Sequence, residues 1–172
     1  MVKNILKLGI ILLLICGIST GLLAYVNMLT SPVIAENEAK QQMIAKKEVL
    51  PQAETFEDGD DGVAIGKDSS GKTVGYTVMV SPSGYGGAIS IMVGVNCDYT
   101  VSGVKILSLS ETPGLGAKAQ DDAFLSQYQG KEKSMELKRD ITAISGATIT
   151  STAVTNGVKE ALLMAEKIGG SK

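Results

Sequence analysis

The chain has no histidine and no tryptophan, two cysteines, and aromatic residues at only 4% of its 172 positions. Each shortage excludes chemistry. Without His there is no Ser-His-Asp triad, no Cys-His dyad and no imidazole metal site. Cys16 and Cys97 alone cannot build a thiolate zinc cage or hold an iron–sulfur cluster, so no metal site is expected. A pI near 5.2 and the missing Trp give no support to a nucleic-acid partner. No acid/base pair or substrate-handling group stands out, so no catalytic residue is expected. The length suffices for one soluble domain of about 100–150 residues and little else.

What is present is aliphatic and unevenly placed. Residues 8–35 carry no charge, and the run LGIILLLICGISTGLLAYVNML is long enough for a bilayer, which takes about 20 apolar residues. A cleavable signal has a shorter apolar region of about 7–15 residues, so the run reads as a retained transmembrane anchor in which Cys16 is a small apolar residue. Lys3 and Lys7 precede the span, whereas Glu36 and Glu38 follow it before the next basic residue, Lys40. The excess of positive charge belongs inside, so a single-pass chain with a cytoplasmic N-terminus and an extracytoplasmic main part is expected at the cell membrane. That outer part is mildly acidic and is not suited to docking on anionic lipid. Cys97, its only thiol, has no disulfide partner there.

Beyond the span, residues 35–50 are rich in Ala, Glu, Lys and Gln and predict a helix stopped by Pro51, with Ser31 and Pro32 marking a kink or break before it. Residues 52–62, acidic and Gly-containing, read as a loop. Residues 62–67 and 73–80 flank the polar turn DSSGK and predict a hairpin that puts Tyr76, Val78 and Val80 on one face. SPSGYGG at 81–87 is a glycine-rich loop. Two more β-rich runs, 88–96 and 101–110, are joined by CDYT, and ETPGLG at 111–116 is too interrupted for regular structure. Residues 121–129 read as a short helix and 130–141 as a charged connection. Val154, Val158, Leu162, Ala165 and Ile168 recur at helical spacing, and Gly169 with Gly170 ends that helix. The expectation is an α+β chain: residues 1–34 as N-terminus and transmembrane helix, 35–61 as helical stalk and linker, and 62–172 as one domain with a mainly antiparallel sheet and flanking helices.

Five of the eight residues in SGATITST at 145–152 carry a hydroxyl. A Gly-containing turn leading into a helix exposes backbone N–H groups where hydrogen bonding and the helix dipole both favour an anion, and phosphate is the obvious guest. A polar loop with a plain Ser/Thr helix cap has the same composition. Glu111 reads equally as an exposed loop carboxylate, and Tyr85 as a packed loop aromatic.

SGATIT resembles the flavinylation motif of the FMN-binding domain family, in which an S/T-G-A-T sequence carries FMN through a phosphoester to its last Thr. ETPGLG resembles the loop that lies against the isoalloxazine ring in that family, and SGYGG followed by a strand is a weaker third match. In this order behind one N-terminal span, the motifs resemble the G-subunit family of Rnf ion-translocating electron-transfer complexes; the related C subunits of sodium-translocating NADH:quinone reductases are the neighbouring alternative. The resemblance covers essentially the whole chain.

It implies covalent FMN on Thr148, with Ser145, Gly146, Ala147 and Thr150 around the phosphate and Ser151 and Thr152 as further donors or simple first-turn residues. Glu111 and Thr112 would approach the polar edge of the ring, Leu115 would lie on its face, and Gly114 and Gly116 would let the loop come close. The family usually has Asp three positions before the motif's Ser; here Thr142 stands there and Asp140 is nearest. The implied role is electron transfer within a complex that passes electrons between ferredoxin and NAD while moving sodium ions or protons, with no substrate turnover by the isolated chain. Implied partners are integral membrane and iron–sulfur subunits and a flavin transferase for maturation. Anchored non-redox binding modules and soluble-phosphate-binding domains are the readings outside this class.

Overall fold

The computed structural model describes residues 2–59 and 62–170. By its contacts the chain divides between Lys40 and Gln41, and the two parts are described separately.

The first part belongs to helix α1, Val2–Val49. Between residues 6 and 40 its side chains are exposed, Leu8, Leu13 and Leu23 among them. It includes a stretch long and apolar enough to cross a membrane. The break expected at Ser31 and Pro32 is absent: Pro32 lies inside the helix. Proline removes one donor, the one that would reach the Met28 carbonyl, but the bonds on either side sustain the helix, as in many apolar spans.

The second part is α+β, as expected. Five strands, β1 Thr55–Asp58, β2 Val63–Lys67, β3 Thr73–Val80, β4 Ser90–Asn96 and β5 Val101–Ser108, form an antiparallel meander in sequence order. The hairpin turns are closed by Asx geometry. Asp68 accepts from the Ser70 and Lys72 amides, and Asp98 from the Thr100 amide, which with the neighbouring hydroxyls holds both carboxyls below the usual Asp range. After β5 come a 3₁₀ turn at Gly116–Gln120, the short helix α2 at Asp122–Leu125, a second 3₁₀ turn at Ser126–Tyr128, and helix α3 at Thr148–Gly169. The single helix read over 121–129 is thus a broken series of short turns. No charged or helix-favouring repeat sustains it, and Phe124, Leu125 and Tyr128 are drawn into the core.

Helix α3 packs on β3 and β4 through the face its sequence marks out. Val154, Val158, Leu162 and Ala165 are buried against Val78, Val80, Ile91, Val93 and Val95. Burial of each larger aliphatic side chain contributes roughly 1.5–3 kcal/mol. The opposite face of the sheet is also covered. Ala45 and Val49 of the last turns of α1 pack with Met92, and Leu50 is fully buried. The sheet admits this chain because Gly66 pairs with Gly75 and Gly94 with Gly103, giving a surface without side chains; a Cβ at Gly94 would run into the Val49 carbonyl.

Two boundaries read from composition change accordingly. Residues 41–50 belong to the compact unit rather than to a separate stalk, and the acidic stretch 52–62 contains β1. β1 is an edge strand with largely exposed side chains, so pairing to β2 makes it a strand, not its own apolar content.

Candidate functional site

The turn before α3 is shaped by Gly146, whose φ of +77° lies in the left-handed region that glycine tolerates. Ala147 occupies the N-cap position and no side chain caps the helix. The first helical amide bond runs from Ser151 to the Ala147 carbonyl, so the amides of Thr148, Ile149 and Thr150 find no acceptor among the described residues. The plain Ser/Thr cap is therefore not what this run builds.

The hydroxyls divide in two. Ser151 donates to the Ala147 carbonyl (2.9 Å) and accepts from the Ile144 amide (3.0 Å), which ties the turn to the helix. Thr152 donates to the Thr148 carbonyl at 2.8 Å. Thr150 is buried and donates to Glu111 Oε2 at 2.8 Å. Ser145 and Thr148 are exposed, and their hydroxyls make no hydrogen bond among the described residues.

Thr148 opens onto a cleft of about 510 Å³, within the usual range of about 300–1,000 Å³ for small-molecule sites. One wall is the α3 start, Gly146, Ala147, Thr148, Ile149 and Thr150; the other is Glu111, Thr112, Leu115 and Gly116, with Tyr85 at the edge. The opposing loop is held by Leu115 and Ala117 amides donating to the Thr112 carbonyl, with Gly114 at a φ of +77°. Tyr85, Leu115 and Ile149 leave substantial apolar surface at the mouth, at 72, 45 and 56% exposure.

The structure thus brings Thr148, Gly146, Ala147, Thr150, Glu111, Thr112 and Leu115 to one cleft, while Ser145 and Gly114 stand outside its lining. Two of the expected contacts are redirected. Thr150 offers its hydroxyl to Glu111 and not outward, and both Glu111 oxygens are occupied by donors of the chain. Ile149 was not singled out by its sequence, although an Ile on the polar side of a helix start is a signal that could have marked it. Thr142 lies outside the lining, its amide bonded to Gln127. Asp140 accepts from the Glu136 amide and from Arg139, which lowers its carboxyl below the usual range and makes it a local brace.

These residues fit FMN. The unpartnered amides and the positive end of α3 suit a phosphate, the free Thr148 hydroxyl lies among them, and the apolar mouth suits a flat ring.

Known proteins point the same way. A model of the FMN-binding domain matches residues 84–163, and a model of the RnfG N-terminal region matches residues 1–49. The chain is 37% identical to the G subunit of the Na⁺-translocating ferredoxin:NAD⁺ oxidoreductase complex of Acetobacterium woodii, over 91% of this chain and 89% of that one. The chain belongs to the Rnf G-subunit family. Members similar to it include the G subunit of the proton-translocating ferredoxin:NAD⁺ oxidoreductase complex of Clostridium ljungdahlii, 38% identical over 91% of this chain and 89% of that one. Another is the G subunit of the ion-translocating oxidoreductase complex of Escherichia coli K12, 33% identical over 98% and 94%. Among solved structures, NqrC of Shewanella oneidensis shares the fold with a TM-score of 0.54 at 22% identity, covering 72% of this chain and 74% of that one. The family model spans GYGG, ETPGLG and SGAT together, the segments that meet at the cleft.

Proposed function

We propose that this chain is a membrane-anchored flavoprotein subunit that carries FMN by a phosphoester on Thr148 and relays electrons within an Rnf-type ion-translocating ferredoxin:NAD⁺ oxidoreductase. The observation that carries this reading is the exposed, unbonded Thr148 hydroxyl at an uncapped helix start on the cleft. When bound, FMN supplies redox chemistry that connects one-electron and two-electron carriers.

The chain's residues supply the setting. The amides of Thr148, Ile149 and Thr150 would hold the phosphate charge. Gly146 supplies the left-handed turn that leads into these amides. Leu115 and Ile149 would offer the ring apolar contact at the cleft mouth. With no His in the chain, no imidazole activates the Thr148 hydroxyl, so a separate flavin transferase makes the ester. Attachment at the phosphate lies far from the ring and serves retention. Helix α1 anchors the chain, and Lys3 and Lys7 before the span put the N-terminus in the cytoplasm and the flavin domain on the extracytoplasmic side. Integral membrane and iron–sulfur subunits are the electron partners.

Co-expression with a flavin transferase tests the reading. The wild-type band should fluoresce on a denaturing gel and Thr148→Ala should be dark, with unchanged circular dichroism. A Thr148→Ala chain that still carries flavin at another residue overturns the assignment.

A further inference from the structure

Among the described residues, Glu111 is the only charged one in the cleft lining, and the surrounding backbone is shaped around it. It is 8% exposed. Its Oε1 accepts from the amides of Tyr85 (2.8 Å) and Gly86 (3.1 Å), and its Oε2 from the Thr150 hydroxyl (2.8 Å). One carboxylate thus ties the glycine-rich loop and the α3 start to its own loop. Backbone without side chains makes room for it. A Cβ at Gly84 would run into Oε1, and one at Gly116 would stand 2.5 Å from Oε2.

A buried carboxylate is costly unless hydrogen-bonded, and these bonds to an ionised acceptor are of the strong kind. They solvate the charge but do not cancel it. Among the described residues, no Lys or Arg forms an ion pair with Glu111. The cleft wall therefore holds a fixed negative charge that three donors prevent from swinging into solvent.

We propose that Glu111 is a positioning residue that braces the cleft and, through this unneutralised charge, holds down the reduction potential of the flavin bound there. The proposal rests on the functional reading above. Each electron accepted by a ring without a matching proton adds negative charge, and a nearby carboxylate in a poorly polarisable wall opposes it.

The test uses the full-length flavinylated chain in detergent, with midpoint potentials read by spectroelectrochemistry. In Glu111→Gln the side-chain oxygen still accepts from the Tyr85 and Gly86 amides, and its NH₂ can donate to Thr150. The brace persists while the charge is gone, so the potential should rise. Thr150→Val removes one donor and leaves the charge less screened, so the potential should fall. A Glu111→Gln potential at or below wild type overturns the proposal. If that variant does not fold, an unshifted or raised potential in Thr150→Val does so instead. Without flavin, proteolysis of the loop at 81–87 should be unchanged in Glu111→Gln and faster in Glu111→Ala; equal protection in both overturns the bracing. A wild-type chain that takes no flavin defeats the functional reading and this proposal with it, whereas flavinylated chains of equal potential defeat this proposal alone.

Discussion

Replacing Tyr128 by Phe probes the support beneath the turn that leads into α3. Tyr128 is fully buried and stands edge-on to Phe124, with ring centroids 5.5 Å apart and planes at 84°. Thr155 donates its hydroxyl proton to the Ser151 carbonyl at 2.8 Å, so in the 2.9 Å contact between the two side chains Tyr128 is the donor. Ser151 in turn fixes Ala147 and Ile144, one residue from Thr148 and at the far side of the turn. Phe fills the same ring volume and removes one neutral hydrogen bond, at a cost of about 1 kcal/mol near neutral pH.

The pH dependence is more specific. Burial pushes the Tyr128 hydroxyl up to about 12. An unfolded tyrosine titrates near about 10. Because the folded value is the higher one, the phenol's contribution is fully present below about pH 10 and is lost as pH rises towards about 12, roughly 2–3 kcal/mol in all. Tyr128→Phe lacks that loss, so its initial deficit should vanish and reverse at roughly pH 11. Tyr76, which burial also shifts upward, is common to both chains and does not move the crossing. Urea unfolding of the full chain in detergent, followed by near-UV circular dichroism from about pH 8 to 11.5, measures it. A deficit that stays constant across this range, or one above about 3 kcal/mol at neutral pH, would refute the reasoning.

Two further substitutions test the close approaches. Gly94→Ala drives a methyl group into the Val49 carbonyl and should destabilise the domain by about 1–3 kcal/mol, read as a lowered melting temperature; an unchanged melt would mean that the end of α1 is not seated on the glycine surface. Gly146→Ala forces a left-handed backbone on a residue with a Cβ, 3.1 Å from Leu115 Cδ2, at a cost of about 1–2 kcal/mol. It should also lower the flavin content per chain, measured by absorbance against protein mass.

The elements that declare themselves in the sequence are those whose own residues carry the reason for the structure. The α3 face from Val154 to Ala165 is apolar at helical spacing, and the β2–β3 hairpin has Tyr76, Val78 and Val80 alternating onto one face beside a turn whose Asp closes it. β1 is illegible because Glu57 and Asp58 resist a strand reading, and only the partner β2 makes them one. The docking of Leu50 is hidden for a related reason: its evidence is the missing side chains of glycines on neighbouring strands, which a linear reading takes for weak strands. At the site, the turn at Gly146 is legible in the local sequence, whereas Thr148 is marked only by the family resemblance. The diversion of Thr150 to Glu111 is not legible there, because it depends on a contact 39 residues apart.

The most direct measurement is the mass of the peptide that contains residues 145–152, taken from the chain purified out of its native membrane. The account predicts an added mass equal to FMN less one water, with fragment ions locating it on Thr148. An unmodified peptide from a chain whose complex is intact and active, or FMN located on Ser145, would contradict it.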